Sequence, residues 1–314
     1  MSKISTRVAY GEALAEIGSN ENIVVLDADL QCCTRTEKFA ALYPERARNV
    51  GIAEANMVGM AAGLASCGKT VFVNSFAMFT AGRAFEQIRN SLAYPHLNVK
   101  VIGTHAGVTV GKDGATHQCI EDLALMRSIP GMMVLSPCDA NETKLITKAI
   151  AEYDGPCFMR LGRLEVEECT NLLPNYKFEL GKASEMAVGK DVCIIATGLM
   201  VQEALKAKDM LAAKGIEAGI LDIHTIKPLD TEAILRAAKY SGCIVTAEEA
   251  NILGGLGAAV TETVCESYPV PVMRVGVRDS FGRSGDPLAL MERYNITAKD
   301  IVEKAEQAIA LKNK

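Results

Sequence analysis

The chain has 314 residues, of which 49% are apolar and 23% charged, and its formal net charge is −5. These values are typical of a globular protein long enough for two domains. There is no basic stripe and no apolar run of membrane-spanning length, so we expect neither a nucleic-acid partner nor a membrane partner. The ten cysteines form no CxxC pair, which argues against zinc and a disulfide framework and favours a cytoplasmic location.

The first half of the chain alternates between short β-rich runs and stretches with a helical period. This alternation predicts a parallel sheet covered by helices on both faces. We predict strands at residues 23–26, 70–74, 99–103, 132–135 and 157–159, and helices at residues 5–17, 36–43, 54–66, 80–93, 120–128 and 141–151.

The alternating pattern weakens after Arg163 and resumes near Lys190. The intervening sequence is acidic and is broken by Pro174 and Gly181, so we predict an interdomain linker there. The predicted fold class is α/β with two doubly wound domains, the second smaller than the first. The domains are expected at residues 1–165 and 191–314, with the linker at 166–190. In the second domain we predict strands at 192–197, 216–222, 243–248 and 270–275, and helices at 201–213, 231–240, 257–267 and 298–311.

One acidic residue, Glu54, begins the predicted helix at residues 54–66. The rest of that helix is rich in alanine, glycine and serine, and Gly68 follows its end. A carboxylate at the first turn of a helix is stabilised by the helix dipole, which is a structural role. A catalytic role is the alternative, and this stretch alone favours the structural one.

A glycine-rich loop at residues 103–118, GTHAGVTVGKDGATHQ, follows the third predicted strand. It contains His105, Asp113 and His117. Two histidines and an acid in one loop after a strand favour an active-site loop over a compact surface loop. The spacing matches no common zinc ligand set, so metal binding is the weaker interpretation.

Three further groups have both a structural and a functional interpretation. Phe72, Phe76 and Phe79 are suited either to packing or to stacking on a flat heterocycle, and packing is favoured without other information. The GGLG stretch at residues 254–257 is suited to tight packing at a helix start, or to anion binding there. Arginines 160 and 163 are suited either to phosphate capture or to an interdomain salt bridge.

Taken together, these motifs resemble transketolase-like thiamine diphosphate enzymes. In chain order the residues are GIAEANMVGMAAGLA, FVNSFAMFTAGRAFEQIRNS, GTHAGVTVGKDGATHQ and RSIPGMMVLSPCDANET, which resemble the pyrimidine-binding domain. DIHTIKPLD, EEANILGGLGAAV and FGRSGDP resemble the carboxyl-terminal domain. The resemblance covers essentially the whole chain and implies thiamine diphosphate as the cofactor.

The family's amino-terminal domain carries a GDG…N signature that holds Mg²⁺ and the diphosphate, and this chain lacks it. The resemblance therefore implies the carboxyl-terminal half of a split transketolase, with no metal ligands of its own. Its expected partner is an amino-terminal subunit that carries the Mg²⁺ and diphosphate site. The expected assembly is a dimer or an α2β2 heterotetramer, and the expected substrates are phosphorylated sugars.

The resemblance also implies roles for individual residues. Glu54 would hydrogen-bond a ring nitrogen of the aminopyrimidine and favour its imino form, which then removes the thiazolium proton. Phe76 and Phe79 would stack on the pyrimidine, with Phe72 supporting them. The implied catalytic residues are Glu54, His105 and His117, and the implied substrate-binding residues are Asp113, His117, His105, Arg163, Arg160, Arg7, Asp29 and Cys33.

Two residues depart from the family pattern. Cys33 stands where many relatives have a serine, and a thiol is a poorer hydrogen-bonding group than a hydroxyl. His224 stands where arginine is common. Transfer of a two-carbon ketol unit from a ketose phosphate to an aldose is the leading hypothesis. The alternatives are the β subunit of a 2-oxo acid dehydrogenase, a 1-deoxyxylulose 5-phosphate synthase-like enzyme, and a catalytically silent regulatory subunit.

Overall fold

The computed structural model describes residues 3–173 and 176–314. It contains a seven-stranded sheet, a five-stranded sheet and a two-stranded ribbon. Each of the two larger sheets is covered by helices on both faces, so the predicted α/β fold class is confirmed. Among the helices of these residues, none is long and apolar enough to cross a membrane.

The first sheet consists of β2 (Ile23–Asp27), β3 (Ala47–Asn49), β4 (Thr70–Phe76), β5 (Val99–Thr104), β6 (Met133–Leu135), β7 (Cys157–Arg160) and β12 (Thr225–Lys227). Its strand order is β12-β6-β7-β5-β4-β2-β3. Neighbouring strands are parallel except β12, which is antiparallel to β6. The strands that sequence periodicity predicted in this half all lie in this sheet.

Helices of the first half pack on both faces of this sheet. The helices are α1 (Thr6–Ile17), α2 (Gln31–Thr34), α3 (Glu37–Leu42), α4 (Glu54–Ser66), α5 (Phe85–Gln87), α6 (Asp122–Ser128) and α7 (Ala140–Glu152). Residues of α1, α3 and α7 share one core cluster, whereas residues of α4 and α6 share the other. The helix predicted at residues 80–93 is irregular, because α5 is flanked by the π-helical turns Met78–Arg83 and Ile88–Ala93.

The second sheet consists of β9 (Ser184–Ala187), β10 (Val192–Ala196), β11 (Ala218–Asp222), β13 (Ile244–Asn251) and β14 (Val272–Val277), in the order β14-β13-β10-β11-β9. Helices α8 (Met200–Ala212) and α12 (Ala298–Lys312) contribute to one core cluster, and α9 (Thr231–Ser241) and α10 (Leu256–Ser267) to another. The short helix α11 (Pro287–Arg293) precedes α12.

The segment between the two halves contains regular β structure where the sequence predicted a linker. Strand β9 lies inside the segment 166–190 and is antiparallel to β11 in the second sheet. Strand β8 (Glu165–Glu167) pairs with β1 (Lys3–Ser5), which ties the end of the first domain to its start. Pro174, on which the linker prediction partly depends, lies outside the described residues. Strand β12 of the second half pairs with β6 in the first sheet, so the two halves are joined by shared β structure as well as by the connecting chain.

Two buried carboxyl groups meet where the halves join. The hydroxyl of Tyr176 and the backbone N–H of Cys138 donate to the carboxylate of Glu142 at 2.5 and 2.7 Å. Asp222 is fully buried, and neither of its carboxyl oxygens has a hydrogen-bond partner among the described residues. Burial and the nearby Glu142 carboxylate raise the pKa of Asp222 well above its usual range. Asp222 therefore holds its proton to a higher pH in the folded chain than in the unfolded chain.

Replacing Asp222 with asparagine should stabilise the chain most at alkaline pH. The raised pKa means that the folded state retains a proton which the unfolded state loses, so Asp222 lowers stability as pH rises above about 4. Asparagine is an uncharged donor of similar shape and removes this dependence. We expect the increase in melting temperature of D222N over wild type to grow as pH rises above about 4. The exposed D209N variant is the control, and a pH-independent difference would contradict the assignment.

Candidate functional site

An aromatic surface lies where β4 and β5 end, at the edge of the first sheet that binds ligands in parallel α/β folds. The rings of Phe76 and Phe79 stack with centroids 5.7 Å apart, and the ring of His105 stacks on Phe76 at 3.9 Å. The imidazole of His117 meets the ring of Phe79 edge-on at 5.3 Å. Four of the predicted site residues therefore form one continuous surface.

Glu54 begins α4 and is connected to this aromatic surface through an arginine. The Glu54 side chain is only 1% exposed, and its Oε2 accepts a hydrogen bond from Arg83 Nη1 at 2.8 Å. The guanidinium carbon of Arg83 lies 4.7 Å from the ring centroid of Phe79. A buried carboxylate is thus placed beside flat aromatic side chains.

Positive charge surrounds His105. The hydroxyl of Thr104 lies 3.0 Å from His105 Nδ1. Burial, together with the positive charges of Arg7 and Arg163, lowers the pKa of His105 to about 3. The imidazole is therefore neutral at physiological pH. A bound anion would offset the arginine charges, so this part of the site is suited to a phosphate group.

The loop with both histidines is held by contacts from two directions. Arg163 Nη1 donates to the carbonyl of Val110 at 2.8 Å and lies 3.3 Å from the carboxylate of Asp113. From the second domain, the carbonyl of Arg283 accepts a hydrogen bond from Gln118 Nε2 at 2.8 Å. Asp113 and His117 therefore lie on an exposed loop whose two ends are held in place. Polar side chains that select a substrate need such a defined position.

The loop also passes very close to a buried carboxylate. Gly107 has φ +78°, and a Cβ atom at this position would lie 2.2 Å from Glu249 Oε1. The same oxygen accepts a hydrogen bond from the backbone N–H of Thr109 at 2.7 Å. Only glycine allows the backbone to approach Glu249 this closely. The loop conformation thus depends on a residue of the second domain.

Asp29 and Cys33 follow β2 at the same edge of the sheet. Asp29 has φ +64°, a left-handed conformation uncommon for a non-glycine residue, and its Oδ1 accepts from Asn49 Nδ2 at 3.1 Å. The carbonyl of Cys33 accepts a hydrogen bond from Arg7 Nη1 at 2.7 Å. Cys33 therefore positions Arg7 through its backbone, a contact that a serine would make equally well.

Two predicted site residues have structural roles instead. Phe72 is fully buried and packs in the core cluster that includes residues of α1, α3 and α7. Arg160 is 6% exposed, pairs with Asp122 at 2.8 Å and donates to the carbonyl of Glu249 at 2.6 Å. Phe72 therefore packs in the core, as the sequence favoured. The ion pair of Arg160 lies within the first half, and its contact with the second half is a hydrogen bond to a backbone carbonyl rather than the interdomain salt bridge considered from the sequence.

The other glycine-rich stretch and His224 are also structural. At the start of α10, the backbone N–H groups of Leu256 and Gly257 donate to the carboxylate of Glu248, each at 2.8 Å. This helix N-terminus therefore binds a carboxylate of the chain itself. His224 is fully buried beside Phe178, with ring centroids 4.9 Å apart, where the two halves join.

Arg83 and Arg35 are site residues that the sequence analysis missed. Arg83 is four residues after Phe79, a spacing that places two side chains on the same face of a helix. That spacing was a usable signal for Arg83. Arg35 has φ +70° and contributes positive charge near Arg7 and His105. No sequence pattern pointed to Arg35.

Potential metal ligands in the described parts of the chain lie elsewhere. The two groups of three both include Cys138, together with Asp139 and Cys169 or with Glu142 and Asp222. A cavity of about 560 Å³ between β9, β11 and α9 is lined by none of the predicted site residues. The aromatic surface and the Glu54 carboxylate offer groups suited to a flat nitrogen heterocycle, and the arginines around His105 offer groups suited to an anion.

Comparison with known families gives two matches that together cover most of the chain. Residues 2–168 match the model of the transketolase pyrimidine-binding domain, and residues 181–301 match that of the transketolase C-terminal domain. The second match begins at residue 181, before β9. It therefore includes all five strands of the second sheet.

Individual relatives are similar over almost their full lengths. A putative transketolase C-terminal section from Methanocaldococcus jannaschii is 47% identical, over 95% of this chain and 94% of the relative. A 6-deoxy-6-sulfo-D-fructose transketolase subunit from Clostridium sp. strain MSTE9 is 45% identical, over 98% and 95%. A solved structure described as a split gene transketolase, inactive β4 tetramer, has a TM-score of 0.90 and 49% identity, covering 99% of this chain and 100% of that one.

Proposed function

The chain belongs to the transketolase family as a split subunit, and we propose that it transfers a two-carbon ketol unit from a ketose phosphate to an aldose. The observation that carries this proposal is the grouping of a buried carboxylate, stacked aromatic rings and arginines. Buried Glu54 pairs with Arg83, whose guanidinium lies over the ring of Phe79, and Phe79 stacks on Phe76. His105 stacks on Phe76 in turn and is surrounded by arginine charge. The Glu54 side suits an aminopyrimidine, and the His105 side suits a sugar phosphate.

At the pyrimidine end, two kinds of contact fit thiamine diphosphate. The partly exposed ring of Phe79, packed on the buried ring of Phe76, provides a flat apolar surface for stacking. The Glu54 carboxyl group exchanges a proton with a ring nitrogen, and its burial excludes water from that exchange. When bound, the cofactor would supply a carbon nucleophile for addition to a ketose carbonyl, which would allow cleavage of the adjacent carbon–carbon bond. Glu54 therefore acts by holding and moving a proton at the ring nitrogen.

At the substrate end, Arg7 and Arg163 bind the phosphate, and His105 donates a hydrogen bond as a neutral imidazole. Asp113 and His117 contact the sugar hydroxyls. The Arg163–Asp113 pair is about 40% exposed at both side chains, so solvent and substrate reach it readily. We assign His105 and His117 to catalysis because both imidazoles also line the aromatic surface.

A second chain completes the proposed site. We assign the Mg²⁺ and diphosphate ligands to an amino-terminal partner subunit, in a dimer or an α2β2 heterotetramer. The similar structure described as a β4 tetramer is also described as inactive. That description supports a requirement for a partner in such chains.

The proposal is tested by reconstitution. This chain, its partner subunit, thiamine diphosphate and Mg²⁺ are mixed with a panel of ketose phosphates, 6-deoxy-6-sulfofructose and 2-oxo acids. We expect ketose consumption and aldose-dependent product only when both subunits are present. Consumption of 2-oxo acids instead would favour the 2-oxo acid dehydrogenase β subunit. No turnover of any substrate, despite assembly, would favour a regulatory subunit.

A further inference from the structure

Arg83 is placed where the cofactor's pyrimidine is expected. Its Nη1 donates to Glu54 Oε2 at 2.8 Å, and its guanidinium carbon lies 4.7 Å from the ring centroid of Phe79. The group is thus held between the buried carboxylate and the aromatic surface. These are the two features that the proposed function assigns to pyrimidine binding.

A guanidinium group can make the same two kinds of contact at this subsite as an aminopyrimidine. It is planar and delocalised, donates N–H groups to carboxylates and stacks on aromatic faces. An aminopyrimidine hydrogen-bonded to Glu54 and stacked on Phe79 needs the same carboxylate and the same ring. We propose that Arg83 occupies the pyrimidine subsite of the cofactor-free subunit and leaves Glu54 when the cofactor binds. This inference rests on the proposed function.

The burial of the two partners explains why the exchange is favourable. Glu54 is 1% exposed, and Arg83 is its side-chain hydrogen-bond partner among the described residues. A buried carboxylate without a partner is strongly destabilising, so Glu54 needs a donor before the cofactor arrives. Arg83 is 51% exposed, so its guanidinium returns to water at little cost. Arg83 therefore pairs with the buried Glu54 carboxylate reversibly, so the pyrimidine subsite stays available to the cofactor.

The backbone around Arg83 confines the change to the side chain. Arg83 ends the π-helical turn Met78–Arg83, a distortion that is frequent at functional sites. A Cβ atom on the preceding residue, Gly82, would lie 2.1 Å from Met78 Cε. The turn also packs against α4, β4 and β5. Exchange therefore requires only rotation of the arginine side chain.

Cofactor binding to the assembled enzyme tests this inference. Thiamine diphosphate with Mg²⁺ is titrated by calorimetry into the cofactor-free complex of this chain with its partner subunit. We expect R83M to lower the dissociation constant about fivefold, which corresponds to ~1 kcal/mol, because the competing ion pair is removed. R83K keeps the charge but lacks the planar fork, so we expect an intermediate affinity.

The matched control is R89M, which removes an exposed arginine of the same irregular helix that hydrogen-bonds Asn90 rather than Glu54. Its affinity should equal that of wild type, and sedimentation should show all variants assembled. Unchanged or weaker cofactor binding in R83M would overturn this inference alone. Absence of cofactor binding in the wild-type complex would overturn the proposed function and this inference together.

Discussion

Replacing Glu54 with glutamine is expected to lower kcat of the reconstituted enzyme by about 10²- to 10⁴-fold, the usual contribution of a positioned acid–base group. Glutamine keeps the size of the side chain and an oxygen that accepts from Arg83, so the fold and the assembly should be preserved. It cannot exchange a proton with the pyrimidine. The measurement is steady-state turnover of the preferred ketose phosphate at saturating cofactor.

The matched control for this experiment is E86Q, which changes an exposed glutamate of the neighbouring helix that hydrogen-bonds Gln87 and Asn90. We expect E86Q to retain wild-type turnover. Near-normal turnover in E54Q would exclude Glu54 as the proton-transfer residue. Loss of turnover together with loss of subunit assembly would instead identify a structural role for Glu54.

Replacing Arg160 with methionine should destabilise the chain by ~3–5 kcal/mol, because it leaves the fully buried Asp122 carboxylate without its cation. The same change removes the hydrogen bond to the carbonyl of Glu249, which joins the first half to the second. The change is measured as the free energy of unfolding in urea.

A double variant separates the buried charge from the packing of the side chain. R160M/D122N removes both charged partners, so we expect it to recover part of the stability lost in R160M. R236M, at an exposed arginine of α9, should stay within about 0.5 kcal/mol of wild type. If the double variant were less stable than R160M, the cost would lie in packing rather than in an unpaired charge.

The local pattern of the sequence determined most of the regular structure. Helix α4 begins and ends at the predicted residues, because a helical period, a first-turn acid and a glycine beyond the end all act within a few residues. The long strands β4 and β5 also begin at the predicted residues but extend past the predicted ends, and their apolar runs are buried on both faces. The sequence also placed His105, Asp113 and His117 in one loop at a strand end.

Long-range packing determined what local patterns could not. Strands β9 and β12 are short, and their sequences become strands only because an edge of a distant sheet is available to pair with them. The roles of Arg160 and Phe72 likewise depend on which face of the sheet each side chain meets. Their sequence neighbourhood fits a substrate site and a buried core equally well.

The features of the candidate site also divide into those that the sequence identified and those that only the tertiary structure revealed. Residue types and order in the sequence identified Glu54, the stacking phenylalanines and the two-histidine loop. The tertiary structure alone brought Arg83 to Glu54, which is 29 residues away, and the carboxylate of Glu248 to the start of α10. Such pairings depend on the free energy of satisfying a buried charge. That free energy is set by the folded environment and not by neighbouring residues in the chain.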